Sequence, residues 1–198
     1  MNETPKPRSL PILGLLLALA LAACSGGNDE PPLEGAAIGG PFALTDQDGR
    51  PATERDYVGR YRIMYFGFTH CPDVCPTDLA VIGQALRRFE KSDPARAAKV
   101  TPIFVTVDPE RDTPAVLKEY VAAFHPRLVG LTGTPGQIAE TVKRYGAYGA
   151  KEPPEKGGYN VNHSRVAELI GPKGEPIALL SYDKGAEAVT AELDRWVR

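Results

Sequence analysis

Residues 61–76 read YRIMYFGFTHCPDVCP, and this stretch decides the fold. Tyr61–Phe68 is a run of aromatic and β-branched residues, which predicts a strand buried within a sheet. Pro76 is tolerated at the first position of a helix, and apolar residues follow it at helical spacing as far as Phe89. The stretch therefore predicts a buried strand that turns directly into a helix, with two cysteines at the corner between them.

Strands and helices alternate along the rest of the chain from about Gly40. Phe42–Thr45 is followed by turn residues, which predicts the first strand of a hairpin. Thr113 and Thr134 each precede a proline, and this pair of residue types predicts the start of a helix. The further predicted elements are strands at 100–107 and 128–131, helices at 113–124, 134–145 and 184–197, a polar loop or projecting hairpin at 151–158, and two hairpin strands at 165–170 and 176–182.

The order of these elements predicts an α/β protein. A hairpin comes first, strands and helices then alternate, and a second hairpin with a final helix closes the domain. Alternation of this kind places a mixed sheet between two layers of helices. Because the terminal hairpin and helix match the second half of a thioredoxin-like fold, we expect that fold. It would have a mixed central sheet, helices on both faces and an N-terminal β-hairpin.

The first 23 residues have the layout of a secretory signal. Lys6 and Arg8 precede a short apolar run, Leu10–Ala23, and Cys24 follows two alanines as in a bacterial lipobox. This layout predicts a lipoprotein-type signal peptide at 1–23, a lipidated Cys24, a flexible tether at 24–39 and a domain at 40–198. An ordinary signal peptide with a chance cysteine, and an uncleaved anchor, are the alternatives.

Export and lipidation together predict a localisation. We expect a protein of the bacterial cell envelope, lipid-anchored to a membrane and facing the periplasm or the cell exterior. The formal net charge of −2 gives no basic footprint, which argues against nucleic acid as a partner. A hydrophobic content of 42% is that of a globular protein with a real core.

Cys71 and Cys75 carry the chemistry of the corner. A helix N-terminus offers unpaired backbone N–H groups and the positive end of a dipole, so we expect thiolate to be stabilised there. Thiolates bind soft metals and attack disulfides. The three-residue gap allows the two sulfurs to close into a disulfide or to open around a metal. In an exported protein the pair is therefore a redox couple, a metal site or both, with an inert buried pair as the structural alternative.

His163 is a candidate third ligand. It lies at the start of the late hairpin, whose leading loop is able to approach the first helix corner in a thioredoxin-like sheet. One nitrogen added to two sulfurs suits trigonal Cu(I), and it suits Cu(II) with an additional weak ligand. A lone histidine is more often structural, so spacing alone leaves both interpretations open.

Four segments resemble the Sco/SenC family. They are Gly67–Pro76 (GFTHCPDVCP), Val105–Pro114 (VTVDPERDTP), His163–Ser164 and the opening hairpin Phe42–Gly49 (FALTDQDG). The similarity extends from about Gly40 to Trp196, and the first two motifs are specific in combination.

The resemblance implies a function. Sco/SenC proteins are thioredoxin-like copper proteins that help assemble the binuclear copper centre of cytochrome c oxidase subunit II. The resemblance implies copper ligands at Cys71, Cys75 and His163, with subunit II and other periplasmic copper chaperones as partners. A thiol–disulfide reductase that keeps the cysteines of the oxidase subunit reduced is the alternative function. Asn162 departs from the aspartate usual before the ligand histidine, which leaves the preference between Cu(I) and Cu(II) open.

Other polar residues near the motifs are expected to have structural or docking roles. His70 is expected to be structural or to take part in docking, and Asp73 and Asp78 are candidates for partner docking. The charged loop Asp108–Asp112 is expected to shape the copper loop, meet a partner or form a self-paired turn.

Overall fold

The computed structural model describes residues 30–154 and 158–198. Residues Pro31–Arg198 form one compact unit. The predicted signal peptide, the lipidation site Cys24 and the tether as far as residue 29 lie outside the described residues. Within the described parts of the chain, no helix is long and apolar enough to cross a membrane.

The secondary structure follows the predicted order. The strands are β1 Ala43–Asp46, β2 Pro51–Thr53, β3 Tyr61–Gly67, β4 Val100–Thr106, β5 Val129–Thr132, β6 Gly149–Lys151, β7 Val161–His163, β8 Ala167–Ile170 and β9 Pro176–Leu179. The helices are α1 Val74–Ser92, α2 Pro94–Ala97, α3 Pro114–Ala122, α4 Pro135–Arg144 and α5 Ala186–Trp196, with short 3-10 turns at Glu54–Tyr57 and Tyr182–Lys184.

The central sheet is mixed, as predicted. Its seven strands lie in the order β2-β1-β5-β4-β3-β8-β9. Strand β3 pairs in parallel with β4 from Tyr61 opposite Val100 to Gly67 opposite Thr106, and in antiparallel fashion with β8. Since β3 is buried at every position, the central strand carries apolar residues on both faces.

Helices cover both faces of this sheet. Because side chains alternate along a strand, Ile63 and Tyr65 belong to one core cluster and Met64 and Phe66 to the other. The first cluster includes buried residues of α1, α3 and α5, and the second includes buried residues of α4. The predicted α/β class with a two-sided sheet is therefore confirmed.

Two helix starts follow their sequence signals. The hydroxyl of Thr113 accepts from Val116 N at the start of α3, and Thr134 forms a capping box with Gln137 at the start of α4. Helix α1 differs from the expectation because it begins at Val74, so Pro76 is its third residue. Proline is still tolerated there, since the N–H groups of a first turn have no partner within the helix.

The segment before the late hairpin matches one of the two alternatives predicted for it. Strands β6 and β7 pair as a separate antiparallel sheet, which corresponds to the projecting hairpin, and residues 155–157 lie outside the described residues. His163 is the last residue of β7, opposite Gly149, and is therefore held by strand pairing instead of lying in a loop.

The compact unit begins ahead of the expected boundary at Gly40. Leu33 N donates to Ile177 O at 3.0 Å, and Gly39 N donates to Arg144 O at 2.9 Å. Ile38 packs against the second core cluster. Residues 31–39, which were assigned to the flexible tether, thus make backbone contacts with β9 and with the end of α4.

One carboxyl group is buried in the sheet. Glu168 lies on β8 opposite Met64 and is 2% exposed. Its Oε2 has no hydrogen-bond partner within the described residues. Burial raises the pKa of Glu168 to about 8, because the charged form is poorly solvated there.

The raised pKa of Glu168 predicts a stability that falls with rising pH. Above the ordinary pKa near 4.5 the unfolded chain loses this proton, whereas the folded protein keeps it until about pH 8. We expect the free energy of unfolding to decline between pH 5 and 8 by up to about 5 kcal/mol from this group.

Glu168→Gln should flatten the decline, because the amide cannot ionise. Urea unfolding at a series of pH values measures it. A parallel decline in both proteins would contradict the assignment.

Candidate metal centre

The corner between β3 and α1 holds both cysteines in the interior. Cys75 lies in the first turn of α1 and is fully buried, whereas Cys71 lies in the preceding loop and is 8% exposed. Cys71 N donates to Phe68 O at 3.2 Å, and Cys75 N donates to Cys71 Sγ at 3.4 Å. The backbone thus turns Cys71 Sγ toward the start of the helix, and both cysteines are free thiols.

The imidazole of His163 meets the buried thiol. Its Nε2 lies 3.3 Å from Cys75 Sγ, and its Nδ1 lies 2.9 Å from Ser164 O. Because a carbonyl oxygen only accepts hydrogen bonds, Nδ1 is the donor to Ser164 O, and Nε2 is the ring nitrogen that faces the sulfur. The ring of Phe68 packs edge-on against the imidazole at 5.6 Å between centroids and limits its rotation.

Three ligand atoms therefore converge in one place. The two sulfurs and the imidazole nitrogen lie within 4.8 Å of one another. A trigonal metal about 2.2 Å from each ligand would need separations of about 3.8 Å, so small side-chain adjustments suffice. Two thiolates and one imidazole suit copper or zinc and serve oxygen-preferring ions poorly. The predicted ligand residues are thus brought together by the fold.

The electrostatics of Cys75 correct one expectation. Burial raises the pKa of the Cys75 thiol to about 12, and a hydrogen bond from the Phe68 backbone opposes this only in part. The expected stabilisation of thiolate by the helix N-terminus is therefore outweighed at this sulfur. At neutral pH Cys75 is a thiol, so a metal must displace its proton on binding.

The charged loop after β4 shapes the cysteine corner. Asp112 is fully buried, and its carboxylate accepts from Thr69 N at 3.0 Å, from Thr69 Oγ1 at 2.6 Å and from Thr106 Oγ1 at 2.6 Å. Thr69 immediately precedes His70 and Cys71. Three hydrogen bonds to one carboxylate therefore fix the backbone just before the first sulfur.

The same loop also holds the segment that leads to His163. Asp108 is fully buried, pairs with Arg111 and accepts from Tyr159 Oη at 2.8 Å. Arg111 Nη1 donates to Tyr159 O at 2.9 Å, and its guanidinium lies 3.9 Å from the centre of the Tyr159 ring. The sequence did not single out Thr69 or Tyr159. The signal for their roles was the charged motif itself, in which Asp108 and Asp112 are fully buried and only Glu110 is exposed.

Asp78 does not have the expected docking role. It is 2% exposed, accepts from Tyr65 Oη at 2.9 Å and binds Arg165 through both carboxylate oxygens at 2.7 and 3.1 Å. It therefore ties α1 to the segment just after His163. Asp73 is exposed beside the metal centre. His70 is half exposed, lies 3.1 Å from Thr69 Oγ1 through Nδ1 and is not a member of the ligand cluster.

Comparison with known proteins agrees with this geometry. The family model described as SCO1/SenC matches residues 30–198. The chain belongs to the SCO1/SenC family. Two mitochondrial relatives illustrate the similarity: the SCO1 homolog 1 of Arabidopsis thaliana is 39% identical over 163 residues, and SCO2 of Saccharomyces cerevisiae is 40% identical over 167 residues. These alignments cover 82% and 81% of this chain but only 48% and 54% of the relatives, so the chain spans about half of their length.

Solved structures of SCO1/SenC proteins share the fold. The crystal structure of Arabidopsis thaliana ScoI with copper bound is 38% identical, has a TM-score of 0.75, and is matched over 80% of this chain and 98% of that chain. BsSco, described as a member of the Sco family of cytochrome c oxidase assembly proteins, is 22% identical with a TM-score of 0.63. At that identity the likeness shows the fold alone. The thioredoxin domain of the thiol-disulfide oxidoreductase BVU-2223 from Bacteroides vulgatus is 13% identical with a TM-score of 0.58, and this likeness in fold confirms the predicted thioredoxin-like architecture.

The relatives correct the predicted localisation. The sequence predicted a lipid-anchored protein of the bacterial cell envelope, but the matched SCO1/SenC relatives from Arabidopsis thaliana, Saccharomyces cerevisiae, Bos taurus and Homo sapiens are mitochondrial proteins. The prediction of a bacterial lipoprotein is therefore wrong on this comparison. The apolar run and cysteine on which it was based resemble targeting signals that short-range patterns do not separate well.

Gly67 provides a test of how tightly the buried sulfur is packed. A Cβ at this position would lie 2.7 Å from Cys75 Sγ, 3.0 Å from Phe104 and 3.1 Å from Tyr65. We expect Gly67→Ala to destabilise the fold by about 1–3 kcal/mol and to weaken metal binding at least tenfold, because Cys75 Sγ must move.

Gly136→Ala is the matched control, since a Cβ there meets nothing within 4 Å and alanine favours helix α4. Chemical unfolding and metal titration of both variants check this. Unchanged metal affinity in Gly67→Ala would show that the site tolerates displacement of Cys75.

Proposed function

We propose that this protein is a copper metallochaperone that binds one copper ion through Cys71, Cys75 and His163. The observation that carries the proposal is the convergence of two sulfurs and one imidazole nitrogen within 4.8 Å. This donor set favours a soft ion over Mg²⁺ or Ca²⁺. Copper is preferred over zinc because three ligands complete a trigonal Cu(I) site, whereas structural zinc takes four.

The relatives support the choice of copper. The Arabidopsis thaliana structure, matched over 98% of its chain, holds this metal. We infer that copper is cargo here, and that the client is the binuclear copper centre of cytochrome c oxidase subunit II. Membership of the SCO1/SenC family, shown by the family model over residues 30–198, supports this class of client, because the Sco family is described as one of cytochrome c oxidase assembly proteins.

Accessibility suggests how copper would leave the site. A groove of about 250 Å³ opens beside the metal centre and is lined by Phe68, Cys71, Pro72, Asp73, Val74, Glu152, Asn160, Val161, Asn162, His163 and Arg165. Cys71 is the more exposed of the two sulfurs, and Cys75 is fully buried. An incoming ligand would therefore replace Cys71 first, while Cys75 and His163 still hold the ion.

Cu(I) is the oxidation state that the pocket favours. Asn162 is exposed and carries no charge, so it adds no anionic field next to His163. Cu(II) would require a further weak ligand and gains more from negative charge than Cu(I) does. With two sulfurs supplied from the interior, we propose that the resting complex is Cu(I).

The reductase alternative has less support. A reductase needs an accessible sulfur with substantial thiolate character at working pH. Cys75 is buried with a raised pKa, and the imidazole 3.3 Å away has no required part in dithiol exchange. The thiol-disulfide oxidoreductase among the structural neighbours is 13% identical, so its likeness shows the fold alone.

A histidine pair tests the third ligand. We expect His163→Ala to weaken Cu(I) retention at least about 100-fold, or roughly 2.7 kcal/mol, because two-coordinate sulfur remains. His70→Ala is the matched control, since His70 neighbours Cys71 in the chain but lies outside the ligand cluster. Competition with a chromophoric Cu(I) chelator measures both affinities. Equal losses in the two variants would remove His163 from the proposed site.

Oxidase assembly in cells separates the chaperone from the reductase. Under limiting copper, cells with His163→Ala should lose oxidase activity nearly as completely as cells with Cys71→Ser, because delivery requires a filled site. Disulfide reduction by His163→Ala in vitro should stay close to that of the parent protein. Normal oxidase assembly with His163→Ala but not with Cys71→Ser would favour the reductase function.

The same two sulfurs should also close on oxidation. Because Cys71 and Cys75 Sγ lie within 4.8 Å across a short loop, we expect the metal-free protein to form an intramolecular disulfide. Alkylation and mass measurement should show two fewer modified thiols after mild oxidation, and bound Cu(I) should protect both. Persistence of two free thiols in the oxidised metal-free protein would contradict this.

A further inference from the structure

A buried cation lies on β3 far from the metal centre. Arg62 is 3% exposed, and its Nε has no hydrogen-bond partner among the described residues. Burial of a charged group is unfavourable unless an anion or several acceptors compensate for the lost water. Arg62 is the second residue of β3, whereas Gly67 is the last, so about 16 Å of strand separates it from the cysteine corner. Among the described residues, Arg62 Nε therefore lacks a hydrogen-bond acceptor, at the end of β3 that is remote from the metal centre.

Arg62 lines a cleft that is open to solvent. The cleft has a volume of about 380 Å³ and is bounded by Gly40, Pro41, Glu54, Arg55, Val58, Arg62, Pro172, Lys173 and Gly174. Gly174 turns the chain with φ of +92°, and a Cβ there would lie 3.4 Å from Arg62 Nη2. The guanidinium thus reaches the wall formed by the turn between β8 and β9.

The carboxylate in the cleft is engaged elsewhere. Glu54 Oε2 accepts from Phe42 N at 3.1 Å, and Glu54 Oε1 lies 3.7 Å from Arg55 Nε. Glu168 shares the sheet face with Arg62, but the raised pKa of Glu168 comes from burial alone, without a contribution from the guanidinium. Neither acid therefore neutralises Arg62.

The lining combines positive charge with apolar surface. Arg62, Arg55 and Lys173 supply three cations against the single carboxylate of Glu54. The excess of two positive charges matches a dianion. Val58 is 72% exposed, an unusual exposure for a large apolar side chain, and it stands beside two prolines of the cleft. This surface offers a contact for an organic group attached to the anion.

We propose that this cleft binds a phosphate ester, with the phosphoryl oxygens on Arg62 and the organic substituent against Val58. A planar guanidinium donates two parallel hydrogen bonds to a phosphoryl group, and its weak hydration makes it the preferred buried phosphate ligand. Arg55 and Lys173 at the rim supply the remaining charge. The cleft is larger than inorganic phosphate requires, which favours an ester over the free ion. This site is separate from the metal centre and does not depend on the proposed copper function.

The site can be tested by following the amide chemical shifts of the ¹⁵N-labelled full chain. The protein is kept in a detergent that contains no phosphate. Glycerol 3-phosphate, titrated at constant ionic strength, should give saturable shifts at the amides of Gly59, Lys173 and Gly174. Arg62→Gln should weaken this binding at least tenfold. Arg60→Gln is the matched control, because it removes the same charge from a side chain that donates to Thr101 Oγ1 and Ala98 O outside the cleft. We expect Arg60→Gln to bind as the parent does.

A second variant keeps the test decisive if Arg62→Gln fails to fold. Arg55 and Lys173 are exposed, so their double substitution with glutamine should fold and bind several-fold more weakly. Glycerophosphoglycerol, a lipid headgroup without acyl chains, distinguishes the sources: saturable binding of this diester indicates a lipid ligand, and binding of the monoester alone indicates a soluble one. Linear shifts without saturation, or equal affinity in parent and double variant, would overturn the proposal.

Discussion

The parallel pairing of β3 with β4 is the constraint on which the site depends. In register over the whole of β3, it brings Gly67 and Thr106 to the same edge of the sheet. The cysteine corner follows the first strand and the charged loop follows the second, so the two loops emerge side by side. Asp112 then joins them through Thr69 and Thr106. The position of Cys71 is thus a consequence of strand register combined with one buried carboxylate.

At this edge of the sheet, burial disfavours the charged forms of side chains, whereas hydrogen bonds and ion pairs stabilise them. The position of each side chain decides which effect is larger. The buried acids of the charged loop are satisfied by hydrogen bonds and by Arg111, so the loop is held rigidly inside the protein. Cys75 receives no comparable compensation, and its thiol keeps its proton at neutral pH. Metal coordination would compensate for this, because the metal replaces the proton of Cys75 and neutralises the charge on its sulfur. A buried, protonated ligand also makes the metal affinity dependent on pH, because the proton competes with the metal for the sulfur.

Much of this architecture could be predicted from the sequence, because its signals are local. The buried strand 61–67, the capped helix starts and the order of elements follow from apolar runs and from threonine–proline pairs. Contacts between residues that are distant in sequence could not be predicted from such local patterns. The burial of Asp78 under Arg165 and the raised pKa of Cys75 each depend on packing between parts of the chain that are distant in sequence. The predicted localisation was wrong because a short apolar run before a cysteine does not identify a cellular compartment.

X-ray absorption at the copper edge of the loaded protein tests the proposed ligands directly. We expect a three-coordinate Cu(I) ion with two sulfur scatterers and one imidazole nitrogen. The imidazole signal should be lost in His163→Ala, and one sulfur should be lost in Cys71→Ser. A first coordination shell made only of nitrogen or oxygen, or a spectrum unchanged by either substitution, would contradict the proposal that Cys71, Cys75 and His163 form the copper site.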